Sequence, residues 1–246
     1  MSNVYSLFTG KPVDQVKPKQ PEFGPIETKL RIQAGRHLDA ILEAGFDLSI
    51  PDKIAARYGD DQPRGGVIVH TLPKAKHAID AYGRGCVHNC NGCSSKDNLS
   101  KHGYWNRPMP FPVNPIEIAR RMERMRGKTM RLGLRSDPLM WMDRKYKWTQ
   151  AILRLARHYG VKLVVYTKSD LAAGDEYIPL LRGHKVVLTV HNRLANEEQA
   201  RLEEPGVASI LRRERAFSRL RESGIQARIR YSDMRRVSSK IVALKA

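Results

Sequence analysis

The sequence predicts an α/β protein: a parallel sheet of five or six strands wrapped by helices as a partial (β/α) barrel, behind an N-terminal helical extension. Three observations predict it. Short apolar runs rich in β-branched residues, "VKLVVYT" (161–167) and "KVVLTV" (185–190), read as strands buried on both faces. Between and around them lie stretches with helical periodicity and capping signals. Strands that alternate with helices are joined by crossovers into parallel sheets.

Each element has its own warrant. Residues 1–25 are rich in Pro, Lys and Gly and read as a loose arm. In "ETKLRIQAGRHLDAILEAG", Leu30, Ile32, Leu38, Ile41 and Leu42 set a helical period that Gly45 stops, and "IPDKIAARYG" is a second short helix. These helices and the loop "DDQPRGG" make up an extension over 26–75. The barrel is expected over 76–246. "KHAIDAYG" is its first strand. "NPIEIARRMERMRG" is a helix capped by Asn114, with Pro115 in its first turn and Gly127 past its end. "TMRLGLR" is a strand. "KWTQAILRLARHYG" puts Trp148, Ile152, Leu155, Ala156 and Tyr159 on one face and ends at Gly160. "EYIPLLRG" is a short helix, "SILRRERAFSRLRESG" a long one closed by Gly224, and "IQARIRY" a fifth strand. "SSKIVALKA" offers at most a short sixth.

Composition excludes some classes and favours others. With 41% hydrophobic residues the 246-residue chain has material for a sizeable core. No run of 18 apolar residues spans a membrane, and the first residues carry no secretory pattern, so a cytoplasmic location is expected. Lys and Arg number 44 against 25 Asp and Glu, a net +19, which attracts polyanions and points to nucleic acid or a nucleotide as partner.

In a parallel α/β barrel the loops at the carboxyl ends of the strands build the active site. Here those loops carry Cys86, Cys90 and Cys93; Ser136 and Asp137; Lys168, Ser169 and Asp170; His191 and Asn192; and Tyr231, Ser232 and Asp233. The cysteines are the sharpest signal. All three in the chain lie within "GRGCVHNCNGCSS" (83–95). Thiolates this close on a glycine-rich loop can converge on one metal centre. A closed zinc site needs a fourth ligand, for which His88 and His102 are available. An iron–sulfur cluster ordinarily takes four cysteines, so three leave one iron open for another ligand.

The spacing Cys86-x3-Cys90-x2-Cys93 resembles that of the radical S-adenosylmethionine superfamily. Beyond the loop, "LGLRSDPLMWMD", "VVYTKSDL" and "LTVHNRLANEEQARLEEPGVASILRRERAFSRLRESGI" are similar to the spore photoproduct lyase branch of that superfamily, over about residues 76 to 230. The resemblance implies a partial barrel of the radical S-adenosylmethionine type and a [4Fe–4S] cluster on Cys86, Cys90 and Cys93. It also implies S-adenosylmethionine on the open iron, its cleavage to a 5′-deoxyadenosyl radical, and a reductase or flavodoxin-type electron donor. Ser136, Asp137, Lys168, Thr189 and Arg213 correspond to cofactor-facing positions, Arg213 either binding the cofactor or pairing with Glu204.

Three departures stand out. Gly92 and Ser94 replace residues that are often aromatic in the family, no full sixth β/α unit fits, and the branch's hydrogen-returning cysteine outside the loop is missing. These departures shift the expected function from photoproduct repair to modification or rearrangement of a nucleobase, such as a thymine derivative in DNA. Tyr104, Trp105 and Arg107, just past the loop, are candidates to stack on an extruded base. Two other classes compete: a radical enzyme acting on a peptide or small metabolite, and a non-catalytic nucleic-acid-binding protein with a structural metal.

Overall fold

The computed structural model describes residues 23–58, 75–83, 85–91, 93, 95–96, 111–190 and 197–231. Tyr104, Trp105, Arg107, His102, His191, Asn192, Ser232, Asp233 and the run "SSKIVALKA" (238–246) lie outside these residues.

Five strands form one parallel sheet. They are β1 (Ala78–Ile79), β4 (Thr129–Leu132), β5 (Lys162–Thr167), β6 (Lys185–Val190) and β7 (Gln226–Tyr231), and they stand in that spatial order. A small antiparallel pair, β2 (Tyr82–Gly83) with β3 (Phe111–Pro112), follows β1. The sequence reads "KHAIDAYG" as one strand. It divides in two because Asp80 turns inward, fully buried, and accepts the backbone N–H groups of Leu134 and Arg135.

The helices are α1 (Pro25–Ala34), α2 (Leu38–Glu43), α3 (Ile50–Tyr58), α4 (Pro115–Arg124), α5 (Asp143–Tyr146), α6 (Trp148–His158), α7 (Ile178–Leu181), α8 (Glu197–Glu203) and α9 (Ile210–Glu222). Asn114 caps α4 as its sequence predicts: its side chain accepts the Ile116 N–H at 2.9 Å. The single helix expected across residues 27–45 is broken. Gly35 takes φ +51, and a 3₁₀ turn (Gly35–His37) separates α1 from α2.

One hydrophobic cluster runs from Ile26 and Ile41 through Trp148 and Leu163 to Leu220. At its centre Trp148 is fully buried, meets Phe46 edge-on at 4.8 Å between centroids, and donates from Nε1 to the Val113 carbonyl at 3.1 Å. The sheet feeds this core with one face: Met130 and Leu132, Leu163 and Val165, Val186 and Leu188. "VKLVVYT" therefore differs from expectation. Its alternate residues, Val164 and Tyr166, are only partly buried, because the helices pack on the other side. No helix among the described residues is long and apolar enough to cross a membrane.

Candidate functional site

The cysteine loop leaves the first sheet strand by way of β2 and sits against the carboxyl ends of β4, β5 and β6. Its path is sharply bent, with Gly85 at φ +146 and Asn89 at φ +45. Short turns of this kind bring three thiols within eight positions into one neighbourhood. Cys86 and Cys93 are partly buried and Cys90 is buried; all three are free thiols. Each lies within electrostatic reach of the next, Cys86 with Cys90 and Cys90 with Cys93. Among the described residues no three His, Cys, Asp or Glu side chains are already drawn together as a metal-binding group.

The loop is docked from a distant segment. Asn91 donates its backbone N–H to the Glu203 carbonyl at 2.7 Å and its amide to the Leu202 carbonyl at 3.0 Å. His88 and Gly206 bond reciprocally: the Gly206 N–H reaches the His88 carbonyl at 3.1 Å, and His88 Nδ1 lies 2.8 Å from the Gly206 carbonyl. This approach requires glycine. A Cβ on Gly206 would stand 2.4 Å from the Val87 carbonyl oxygen and 2.8 Å from His88 Cα. The end of α8 and the turn Glu204-Pro205-Gly206 thus form a seat for the cysteine loop.

His88 then reaches the loop after β4. Its Nε2 stands 3.1 Å from Asp137 Oδ2, a close charge contact rather than an aligned hydrogen bond. Both ring nitrogens face acceptor oxygens, an arrangement that favours the doubly protonated ring. Burial opposes the imidazolium, but the Asp137 carboxylate outweighs it and holds His88 above the ordinary histidine range. Asp137 is the hub on the other side. It accepts the Thr167 hydroxyl at 2.7 Å and the backbone N–H groups of Lys168 at 2.6 Å and Leu139 at 2.9 Å. Burial alone raises a carboxyl; here His88 and these donors win, and Asp137 is lowered. His88 is therefore not a spare fourth ligand for zinc, since both its nitrogens are engaged in holding the loop.

A second charged group lies beside the thiols. Lys168 Nζ is 2.5 Å from Glu204 Oε1 and 3.6 Å from Cys90 Sγ. Burial works to neutralise the ammonium, but Cys90 and Glu204 hold Lys168 above its usual range. Glu204 Oε2 faces Arg213 Nη2 at 2.9 Å, and Arg213, 1% exposed, also donates to the Thr189 carbonyl at 2.9 Å. Two cations share one buried carboxylate, leaving a positive excess against the thiols. Burial pushes the Cys90 thiol up to about 11, while Lys168 pulls it back. Cys86 rises further, through burial and the Asp137 charge. Ligation of metal at these sulfurs releases protons.

The structure brings Cys86, Cys90, Asp137, Lys168 and Arg213 into one connected network through His88 and Glu204. Arg213 takes the pairing role with Glu204. Ser136 is buried, and its hydroxyl donates to the Tyr82 carbonyl at 2.5 Å, which ties the β4 loop to β2. Thr189 lies on the far sheet face beside Arg230 and joins the network only through its carbonyl. Sequence reasoning missed the seat made by Asn91, His88 and Gly206. Its one visible signal was a glycine directly after "EEP".

The class these features define is an α/β protein with a sequentially ordered parallel sheet and a polar, thiol-bearing site at the strands' carboxyl ends. Among solved structures it is similar to spore photoproduct lyase. A cysteine-to-serine mutant of that enzyme superposes with a TM-score of 0.50 at 16% identity, covering 68% of this chain and 50% of the lyase. The lyase complexed with dinucleoside spore photoproduct gives 0.47 at 16% identity, over 63% and 45%. The chain spans about half the length of the lyase, and the likeness is one of fold. No protein-family model and no curated protein matches the sequence.

Proposed function

We propose that the chain is a radical S-adenosylmethionine enzyme, a partial (β/α) barrel that modifies or rearranges a nucleobase. The observation that carries this reading is the setting of the thiols: a three-cysteine loop, the only cysteines of the chain, seated at the strands' carboxyl ends with Lys168 Nζ 3.6 Å from Cys90 Sγ. The donor set fits the group. Three thiols and no fourth suit a cluster with one open iron, and the surplus buried positive charge suits the anionic thiolates that would hold it. Cys86, Cys90 and Cys93 would hold a [4Fe–4S] cluster. When bound, the cluster and S-adenosylmethionine supply one-electron cleavage of a carbon–sulfur bond and so a carbon radical able to abstract hydrogen.

The chain's own residues supply position and charge. His88, Asn91 and Gly206 fix the loop; Asp137 fixes His88. Lys168 keeps a cation beside Cys90 and, with Ser136, Asp137 and Thr189, lines the rim on which the cofactor is proposed to lie. Glu204 and Arg213 hold Lys168 in place. The net +19 charge supports a nucleic-acid substrate.

The test is anaerobic reconstitution with iron and sulfide, followed by reductant, S-adenosylmethionine and candidate nucleic acids. The expected result is a brown protein that releases 5′-deoxyadenosine, faster with nucleic acid present. A colourless protein that binds one zinc and no sulfide overturns the reading. Release indifferent to every nucleic acid overturns its substrate half.

A further inference from the structure

The sheet has a second face, turned away from the hydrophobic cluster, on which Val187 is buried and the residues around it are partly or fully exposed. Along β4 to β7 the residues pointing away from the core include Arg131, Lys162, Lys185, Arg228 and Arg230, five cations with no carboxylate among the positions between them. Lys162, Lys185, Arg228 and Arg230 are exposed. Among the described residues Arg228 and Arg230 have no ion-pair partner. Arg131 spends Nε on the Gly133 carbonyl at 2.9 Å, and its guanidinium lies 4.1 Å above the Tyr166 ring. The nearest acid, Asp80, is already engaged by Arg135 Nε at 3.0 Å and by two backbone N–H groups.

Burial holds Arg131 below the ordinary arginine range. Tyr166 and Asp80 oppose that and Arg230 adds to it, so β4 and β7 sense each other across two intervening strands. Arg230 is the cross-strand neighbour of Thr189, and Tyr166, Val187 and Arg228 form one row. This face therefore runs up to the carboxyl ends of β5, β6 and β7. Residues 232–246, which follow β7 in sequence, hold four Lys and Arg against one Asp.

We infer that this cation-bearing sheet face is the track on which a polynucleotide strand lies, its phosphates against Arg131, Arg228 and Arg230, so that one nucleotide reaches the thiol-bearing rim. The inference rests on the reading above that the substrate is a nucleobase, and extends it from a base to a strand. Charge complementarity chooses the occupant: a row of cations without ion-pair partners among the described residues is satisfied by a phosphodiester chain, and an apolar or basic protein segment leaves it unsatisfied.

The test is fluorescence anisotropy of a labelled single-stranded 20-mer on the full chain over a range of salt, for wild type and for Arg228→Gln with Arg230→Gln. Both arginines are exposed and, among the described residues, without an ion-pair partner, so the pair should keep the wild-type melting temperature. For single strands the slope of log Kobs against log salt changes by about 0.7 per phosphate contact, so the pair should flatten it by about 1.4. Arg124→Gln with Lys128→Gln, exposed cations on α4 and the turn after it, should leave it unchanged. An unaltered slope in the first pair, equal flattening in the second, or competition by thymidine monophosphate as effective as by the unlabelled strand overturns the inference. Iron and sulfide are read in the same samples. A chain that takes no cluster yet shows the flattened slope sinks the radical reading alone, and a cluster-bearing chain with an unaltered slope sinks this inference alone.

Discussion

Two pairs of buried ionisable residues show how one fold treats charge in opposite ways. At the strands' carboxyl ends His88 and Asp137 face each other, the histidine raised and the carboxyl lowered, each favouring the charged form of the other. On the helical side Asp143 and His184 are also buried but have no opposite charge. Asp143 accepts the Tyr82 and Tyr177 hydroxyls at 2.5 and 2.7 Å and the Thr149 N–H at 2.7 Å, and burial still raises it. His184 accepts the Leu163 N–H at 3.1 Å, and burial, reinforced by Arg157, lowers it to about 4. Burial presses all four toward neutrality; only a partner of opposite sign reverses it. The fold sets opposite charges against each other at the rim, where the thiols are, and leaves burial unopposed by a counter-ion on the helical side.

The sharpest way to break this contrast is to remove the rim's shared carboxylate. Glu204→Gln leaves Arg213 buried without its counter-charge and should cost about 3–5 kcal/mol, read as a lowered denaturant midpoint with unchanged slope. A loss below about 1 kcal/mol would show that solvent reaches the pair. The next effect is one of pH. His184 binds a proton more weakly folded than unfolded, so its contribution is present above about pH 6.5 and is lost as pH falls toward 4. The loss is at most roughly 3 kcal/mol at about 1.4 kcal/mol per pKa unit. His184→Asn, which keeps an acceptor for Leu163, should flatten the stability curve over that window.

Gly206→Ala comes third. Its methyl meets backbone, which cannot turn aside, so about 1–3 kcal/mol is expected. Faster alkylation of the cysteines in the metal-free protein and a lower iron content after reconstitution should accompany it. Unchanged alkylation would mean that the loop is held without this seat. The smallest effect belongs to the helical side. Asp143→Asn keeps the size and one acceptor and should cost only about 1–2 kcal/mol, visible as a small shift in melting temperature.

Much of the architecture was legible because period and punctuation agreed: Asn114-Pro115 opens α4, and the strands "KLVVYT" and "KVVLTV" stand where their β-branched runs placed them. The kink at Gly35 escaped because apolar spacing continues across it. The division of the first strand escaped because the inward turn of Asp80 depends on N–H groups more than 50 residues away. Asp137 and Lys168 could be nominated as rim residues from their positions after strands. Their partners could not, since His88, Glu204 and Gly206 reach them through contacts spanning 36 to 118 residues, which local pattern does not encode.

The seating of the cysteine loop has a consequence for how the protein is made. The loop at 86–93 is pinned by carbonyls and an N–H group at 202–206, which leave the ribosome more than 110 residues later. At bacterial and eukaryotic synthesis rates of about 5–20 residues per second that is an interval of roughly 6 to 24 seconds. Throughout it the thiols are translated but unsheltered, exposed to oxidants and to any thiophilic ion nearby. Sheltering of the thiols thus waits for completion of a segment that contains no cysteine itself.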